Sequence, residues 1–283
     1  MKSRPIGHFA VWAEFNPQIR DPRRAPSPSV DEDSCRLRLL DCPIDNLSLE
    51  ETLNRIESFV RSGTPHRHVA INVDKVLKTR ADAGFRRIIE EADLINVDGQ
   101  PVVWAARLLG ARMKGRVAGI DLMQSLVARS EQRGWRVYFL GAEKTVLDKM
   151  VAVYRGRFPE LQIAGYRHGY WASADEEQAI VEQIRIAKPD VLFIGVSSPK
   201  KEIFAYQHAH SMGVPFIMGV GGSFDVIAGL TRRAPLWMQH AGLEWFWRFL
   251  QEPRRMWRRY FIHDMKFVSL VAREIIRGRR LPS

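Results

Sequence analysis

The chain has 283 residues, a formal net charge of +11 and an apolar content of 46%, a composition that excludes a disordered chain and allows a sizeable core. Its cysteines, Cys35 and Cys42, make neither a metal-ligand pattern nor a disulfide framework, which favours a reducing, cytosolic setting. No apolar run reaches the roughly 18 residues that span a bilayer, and the start, with Glu14 inside a short apolar patch and no small-residue cleavage site, does not read as a signal peptide.

Residues 1–34 carry Pro5, Pro17, Pro22, Pro26 and Pro28 among scattered charges without an apolar period, so they read as a flexible extension. The Asp31-Glu32-Asp33 run within it reads as a solvated acidic patch in preference to a metal site. Alternation in CRLRLLDCPID predicts a strand, after which Ser48 and Glu51 form a capping box that opens a helix. His68 to Val73 is β-rich, and an amphipathic helix is expected over Asp74 to Ala92. A short strand from Leu94 to Val97 ends at Asp98-Gly99-Gln100-Pro101, where Pro101 suits the first turn of a helix to Leu109.

Beyond this point helices and strands alternate regularly. Helices are expected at Asp121–Arg133, from Glu143 to Phe158, at Ser173–Ala187 (with a second capping box, Ser173 and Glu176) and from Pro199 to Ser211. The strands between them are Arg136–Leu140, Gln162–Tyr166, Asp190–Val196 and Pro215–Met218. Parallel neighbours need crossovers of this length, so we expect one Rossmann-like α/β domain over residues 35–230, a parallel sheet wound with helices. Residues 231–283 form a basic appendage: from Arg232 to Ser283, 12 Lys and Arg face 4 Asp and Glu, and Trp237, Trp245, Trp247 and Trp257 lie among them. One helix should end near Gln251 and another start at Pro253. For any single tryptophan, packing on the core is the first expectation and a place at the lipid headgroup level the second.

In an open α/β sheet, ligands sit at the carboxyl ends of the strands. That rule selects Asn72, Asp98, Gly141, the Ser197–Glu202 segment and the Gly219–Asp225 segment. Glycine turns into helices, as at Gly141, Gly219 and Gly221, offer backbone N–H groups to phosphate, although none fits a dinucleotide or Walker motif. Asp98 could act as a general base or be the polar half of an Asp-Gly turn. Asp225 could cap a helix or bind ribose hydroxyls, with capping the default, and Asp121 reads as a helix start. The histidines show no metal-ligand spacing, and no nucleophile elbow is present. Three functions remain open on the residues alone: a sugar-nucleotide enzyme, a non-catalytic nucleotide sensor, and a nucleic-acid binder using the basic tail.

The segments NVDGQPVVWAARLLG (96–110), RVAGIDLM (116–123), FLGA (139–142), GVSSPKKE (195–202) and the long run from Gly219 to Tyr260 together resemble the WecB/TagA/CpsF glycosyltransferases, glycosyltransferase family 26. The resemblance covers residues 36–265. It implies an inverting transfer of a hexose from a UDP-sugar to a polyprenyl-diphosphate-linked sugar, in the synthesis of bacterial cell-surface polymers or exopolysaccharide. It further implies no metal and no other cofactor, a place on the inner face of the cell membrane, no nucleic-acid partner, and self-association as seen among family members. Asp98 becomes the catalytic base. Asn72 contacts the donor, with Ala70, Gln100, Gly141 and Lys201 in the same substrate-binding set. Gly219, Gly221 and Asp225 take the uridine end, and Arg248, Arg255 and Arg258 close over the diphosphates. Ala70 and Lys201 stand where threonine and glutamine are usual, which leaves the donor open between N-acetylmannosamine, a related uronate and a plain hexose such as glucose.

Overall fold

The computed structural model describes residues 36–251, 253, 264–278 and 281. In chain order the elements are β1 (Arg36–Leu39), β2 (Cys42–Asp45), α1 (Leu49–Ser62), β3 (His66–Ile71), α2 (Val73–Ala81), α3 (Ala83–Glu90), β4 (Leu94–Val97), α4 (Gln100–Leu108) and α5 (Gly119–Arg133). They continue with β5 (Arg136–Gly141), α6 (Lys144–Arg157), β6 (Gln162–Arg167), α7 (Ala174–Ala187), β7 (Val191–Gly195), α8 (Lys200–Met212), β8 (Phe216–Gly219) and α9 (Ser223–Ile227). Then follow α10 (Leu236–His240), α11 (Glu244–Gln251) and α12 (Asp264–Ile276).

β3 to β8 form a six-stranded sheet in the order β4-β3-β8-β7-β5-β6, parallel throughout. Strand alternation divides the core between its two faces. Val137, Phe139, Val191, Phe193, Phe216 and Met218 face α1, α5 and α6, together with Phe224 of α9. Their neighbours Tyr138, Leu140, Leu192, Ile194 and Ile217 face α7 and α8. Burial on both sides explains why β7 reads as an unbroken apolar run, whereas a sheet with one wet face would alternate. The chain leaves β3 and β7 for one face (α2, α8) and leaves β5 and β8 for the other (α6, α9). Crevices therefore open between neighbouring strands at their carboxyl ends.

Local structure departs from the sequence expectations at identifiable places. Of the strand expected in CRLRLLDCPID, the described residues 36–45 form a hairpin of β1 and β2 and not one strand, because Leu40 and Asp41 both take positive φ (50° and 67°), as a two-residue hairpin turn requires. The helix expected over Asp74–Ala92 is two helices. Asp82 leaves the helical conformation, ends α2, and caps α3 by accepting the Phe85 N–H at 2.9 Å. The capping box of Ser48 and Glu51 is complete. That of Ser173 and Glu176 is not, since the Glu176 carboxylate takes the Ala172 N–H at 2.7 Å in place of the Ser173 N–H. Cys42 is fully buried in β2, and burial pushes its thiol up to about 12, so it is an inert core group.

Candidate functional site

The site is assembled where β4, β3 and β8 end side by side. Asp98 follows β4, and both its N–H and that of Gly99 are donated to the Ile71 carbonyl of β3, at 2.8 and 3.2 Å. A side chain at Gly99 would meet the Asn72 Cα at 3.2 Å, so glycine there lets the Asp98 turn lie directly on Asn72. The Asp98 carboxylate is fixed through one oxygen: Oδ1 accepts the Gly119 N–H, at the start of α5, at 2.9 Å. Among the described residues nothing donates to Oδ2. A half-buried carboxylate with one oxygen held and the other open at the sheet edge is the form that a general base takes.

Asn72 is the N-cap of α2, its Oδ1 accepting the Lys75 N–H at 3.1 Å, while its amide donates to no described residue. Capping orients this side chain and leaves its N–H groups available to a ligand. One strand further on, Lys201 lies along the turn that leaves β8. A Cβ at Gly219 would meet the Lys201 side chain at 3.0 Å, and one at Gly221 would stand 3.3 Å from its ammonium. Asn72, Asp98, Ala70, Lys201, Gly219 and Gly221 thus come together on one side of the sheet edge.

Beneath them is a charge cluster that the sequence reading missed. Lys75 is buried, donates to the Ala70 carbonyl at 2.7 Å and pairs with buried Glu202 at 2.8 Å. Lys201 reaches the same Glu202 oxygen at 3.8 Å. Burial works to raise the Glu202 carboxyl, but Lys75 and Lys201 outweigh it and hold the group at about 2. Burial, with Lys75 beside it, brings the Lys201 ammonium down to about 8, against the pull of Glu202 and Asp98. His68, buried next to them, is brought down to about 3 by burial and by Lys75, so it is neutral. Asn96 passes its amide to Thr52 at 3.0 Å and so presents its oxygen to His68 Nε2, 3.1 Å away. The signal for Lys75 was present in the sequence: it falls on the apolar side of α2, between Val73 and Val76 and one turn before Thr79.

Other candidates lie elsewhere or have a different local role. Gly141 ends β5, two strands beyond β8. Its φ is +144° and a Cβ there would stand 2.4 Å from the Gly195 backbone, so close packing of β5 on β7 demands the glycine. Asp225 does not cap. Gly222 holds the N-cap position of α9, and Asp225 lies inside the helix, where its carbonyl accepts the Leu230 and Thr231 N–H groups. Gln100 opens α4 with its side chain against Gly242, where a Cβ would meet it at 2.5 Å. Arg255 and Arg258 lie outside the described residues, as do the side chain of Arg248 and the Asp31-Glu32-Asp33 run. Among the described residues no group of three or more His, Cys, Asp or Glu is placed to hold a metal ion.

The C-terminal segment is fastened at the rim of this site. Arg233 pairs with Asp121, in the first turn of α5, at 2.7 Å, and with Glu244 at 3.1 Å. Glu244 also pairs with Arg116. The network joins residues 233–244 to the helix whose first N–H holds Asp98, and it gives Asp121 a partner that its reading as a helix start did not include. Further on, α12 packs against α2 through a buried side that includes Phe267 and Val271. The tryptophans only partly follow the core-packing expectation. Trp247 is half-buried and donates to the Arg232 carbonyl at 3.1 Å, but Trp237 is 66% exposed beside Leu236 at 70%. Among the described residues no helix is long and apolar enough to cross a membrane.

A sequence model of the glycosyl transferase WecG/TagA/CpsF family matches residues 37–281. Similar curated proteins include the N-acetylglucosaminyldiphosphoundecaprenol N-acetyl-beta-D-mannosaminyltransferases of Bacillus spizizenii and Bacillus subtilis. The first is 34% identical over 66% of this chain and 71% of its own length. The second is 32% identical over 67% and 72%. The protein of the same name from Staphylococcus aureus is 27% identical over 87% of this chain and 94% of its own length.

Proposed function

The chain belongs to the glycosyl transferase WecG/TagA/CpsF family, and from that premise we propose that it moves a hexose from a UDP-sugar to a polyprenyl-diphosphate-linked sugar with inversion, in the synthesis of a bacterial cell-surface polymer or exopolysaccharide. The names of its relatives support N-acetylglucosaminyl-diphosphoundecaprenol as the acceptor and N-acetylmannosamine as the first donor to test. UDP-glucose and an acidic sugar nucleotide are the other donors. The observation that carries the reading is the posture of Asp98, with Oδ1 fixed by Gly119 and Oδ2 open at the carboxyl edge of the sheet.

In the proposed step the acceptor hydroxyl oxygen attacks the anomeric carbon as Asp98 Oδ2 takes its proton. The bond to the diphosphate breaks from the opposite face, and UDP leaves with the electron pair. A single displacement of this kind needs one base and neutralisation of the charge that develops on the leaving group. Arginine forks meet that need by binding phosphate oxygens in pairs, the role proposed for Arg248, Arg255 and Arg258. The exposed apolar side chains of α10 and α11, Leu236, Trp237, Phe246 and Leu250, support peripheral contact with the headgroup layer of the cytoplasmic membrane, where the lipid acceptor resides. The basic residues around them add attraction to anionic lipid of about 1 kcal/mol each.

The test is a screen of UDP-sugars against a short polyprenyl-diphosphate N-acetylglucosamine, read by mass spectrometry. A disaccharide product with release of UDP is expected. Tight UDP binding without product from any donor would leave a nucleotide sensor in its place.

A further inference from the structure

The buried cluster at the site has unequal charges. Lys75 is matched by Glu202 at 2.8 Å and by the Ala70 carbonyl, and Lys201 must share the same carboxylate from 3.8 Å. Among the described residues the Lys201 ammonium donates no hydrogen bond. An ammonium held largely out of water beside another lysine costs the folded chain free energy unless something outside the chain offsets it. A second observation points the same way. His68 is 5% exposed, and with Nε2 engaged by Asn96 its Nδ1 is a bare, buried acceptor without a partner. His68, Ala70, Lys75, Lys201, Glu202 and Gly219 line one small cavity. Its free volume of about 10 Å³ is room for one water or one hydroxyl. A cation and a bare acceptor lining the same cavity suit a ligand that carries both an oxyanion and a hydroxyl.

We propose that Lys201 is the cationic pole of an oxyanion subsite at the carboxyl ends of β3 and β8, binding an oxygen of the donor's diphosphate or of a sugar carboxylate. This rests on the proposed use of a UDP-sugar. The two sources share one chemistry, an anionic oxygen beside hydroxyl groups, and Lys201 bears on specificity because a neutral group at this position could not discriminate by charge. The charges that act on its ammonium are those of Lys75 and Lys78 from α2, Glu202 from its own helix and Asp98 from the end of β4. Burial and the neighbouring lysines bring the ammonium down to about 8. Anion affinity contributed by Lys201 is therefore full below that pH and lost as pH rises through it.

The experiment titrates UDP, uridine, UDP-glucose and UDP-glucuronate into the full chain, into Lys201→Gln and into Lys201→Met, with melting curves of each. A charge-assisted contact predicts a loss on the order of 10- to 100-fold. If the diphosphate is the source, both variants weaken UDP and both UDP-sugars alike and leave uridine unchanged. If a carboxylate is the source, only UDP-glucuronate weakens. In both cases the variants melt no lower than the wild type, since a buried unmatched charge has been removed, and the fall of affinity above pH 8 disappears. Equal affinity of wild type and variants for every compound overturns the subsite. So does an equal loss for uridine and UDP together with lower melting, the pattern of a structural residue. Absence of UDP binding by the wild type itself overturns the parent reading instead, and the wild-type arm tells the two failures apart.

Discussion

Replacing Glu202 by glutamine tests the buried ion pair on which the floor of the site stands. Lys75 and Glu202 have side chains only 5% and 3% exposed, so solvent screens their 2.8 Å contact very little. Held at about 2 in place of the ordinary 4.5, the Glu202 carboxyl favours its ionised form in the folded chain by about 3 kcal/mol, at 1.36 kcal/mol for each tenfold in proton affinity. Removing one partner of a buried pair is independently expected to cost about 3–5 kcal/mol, because the other charge is left buried and unmatched. For a domain of this size each kcal/mol lowers the melting temperature by about 2–4 °C, so Glu202→Gln should melt lower by about 6–12 °C. The double variant Lys75→Met with Glu202→Leu removes both charges and should regain at least half of that loss. The pH dependence has a definite sign. A carboxyl depressed in the folded state stabilises above about pH 4.5 and loses that stabilisation as pH falls towards 2, so the wild type declines in this window and Glu202→Gln declines less. Thermal melts followed by circular dichroism decide the matter. A single variant melting within about a degree of the wild type, or a double variant no better than the single, would refute the reasoning.

Three further outcomes are expected. Gly141→Ala forces a side chain to within 2.4 Å of the Gly195 backbone at a φ of +144°, so it should destabilise by about 2–5 kcal/mol in denaturant titration; a stable variant would show that β5 and β7 can part there. Arg233→Ala removes the tie to Asp121 and leaves the segment held through Glu244 and Arg116, so it should lower turnover with a soluble short-chain acceptor, and truncation after Leu230 should abolish it. Unchanged turnover in the truncated chain would reduce the segment to a membrane anchor. Chelator should leave the transfer rate unchanged, and loss in EDTA restored by magnesium or manganese would contradict the role given to the arginines.

The sheet was legible because a strand buried on both faces must be apolar without interruption, as Val191–Ile194 is, and because such strands were separated by helix-length segments. The strand order was not legible: periodicity shows which residues face a core and is silent on which strand lies alongside. The sheet-end rule found Asn72 and Asp98 because they directly follow strands, and Gly219 because it ends one. It also returned Gly141, whose glycine answers to the Gly195 backbone. Lys75 was overlooked because a lysine in an amphipathic helix is ordinarily solvated, and only the fold brings Glu202 opposite it. The turn at Leu40-Asp41 lacks the usual Asn-Gly or Asp-Gly signal, and two non-glycine residues at positive φ gave no warning. Arg233 was noticed as one charge among many. Its pairing with Asp121, 112 positions earlier in the chain, is a tertiary fact that no local pattern encodes.

The central claim, that Asp98 removes the acceptor proton, is tested most directly by Asp98→Asn assayed for transfer and for UDP binding side by side. The amide keeps an oxygen to accept the Gly119 N–H and cannot take a proton at neutral pH. Loss of a general base predicts transfer lower by about 10²- to 10⁴-fold, with UDP affinity within about twofold of the wild type. Turnover near the wild-type rate would contradict the assignment and return Asp98 to the role of a turn residue.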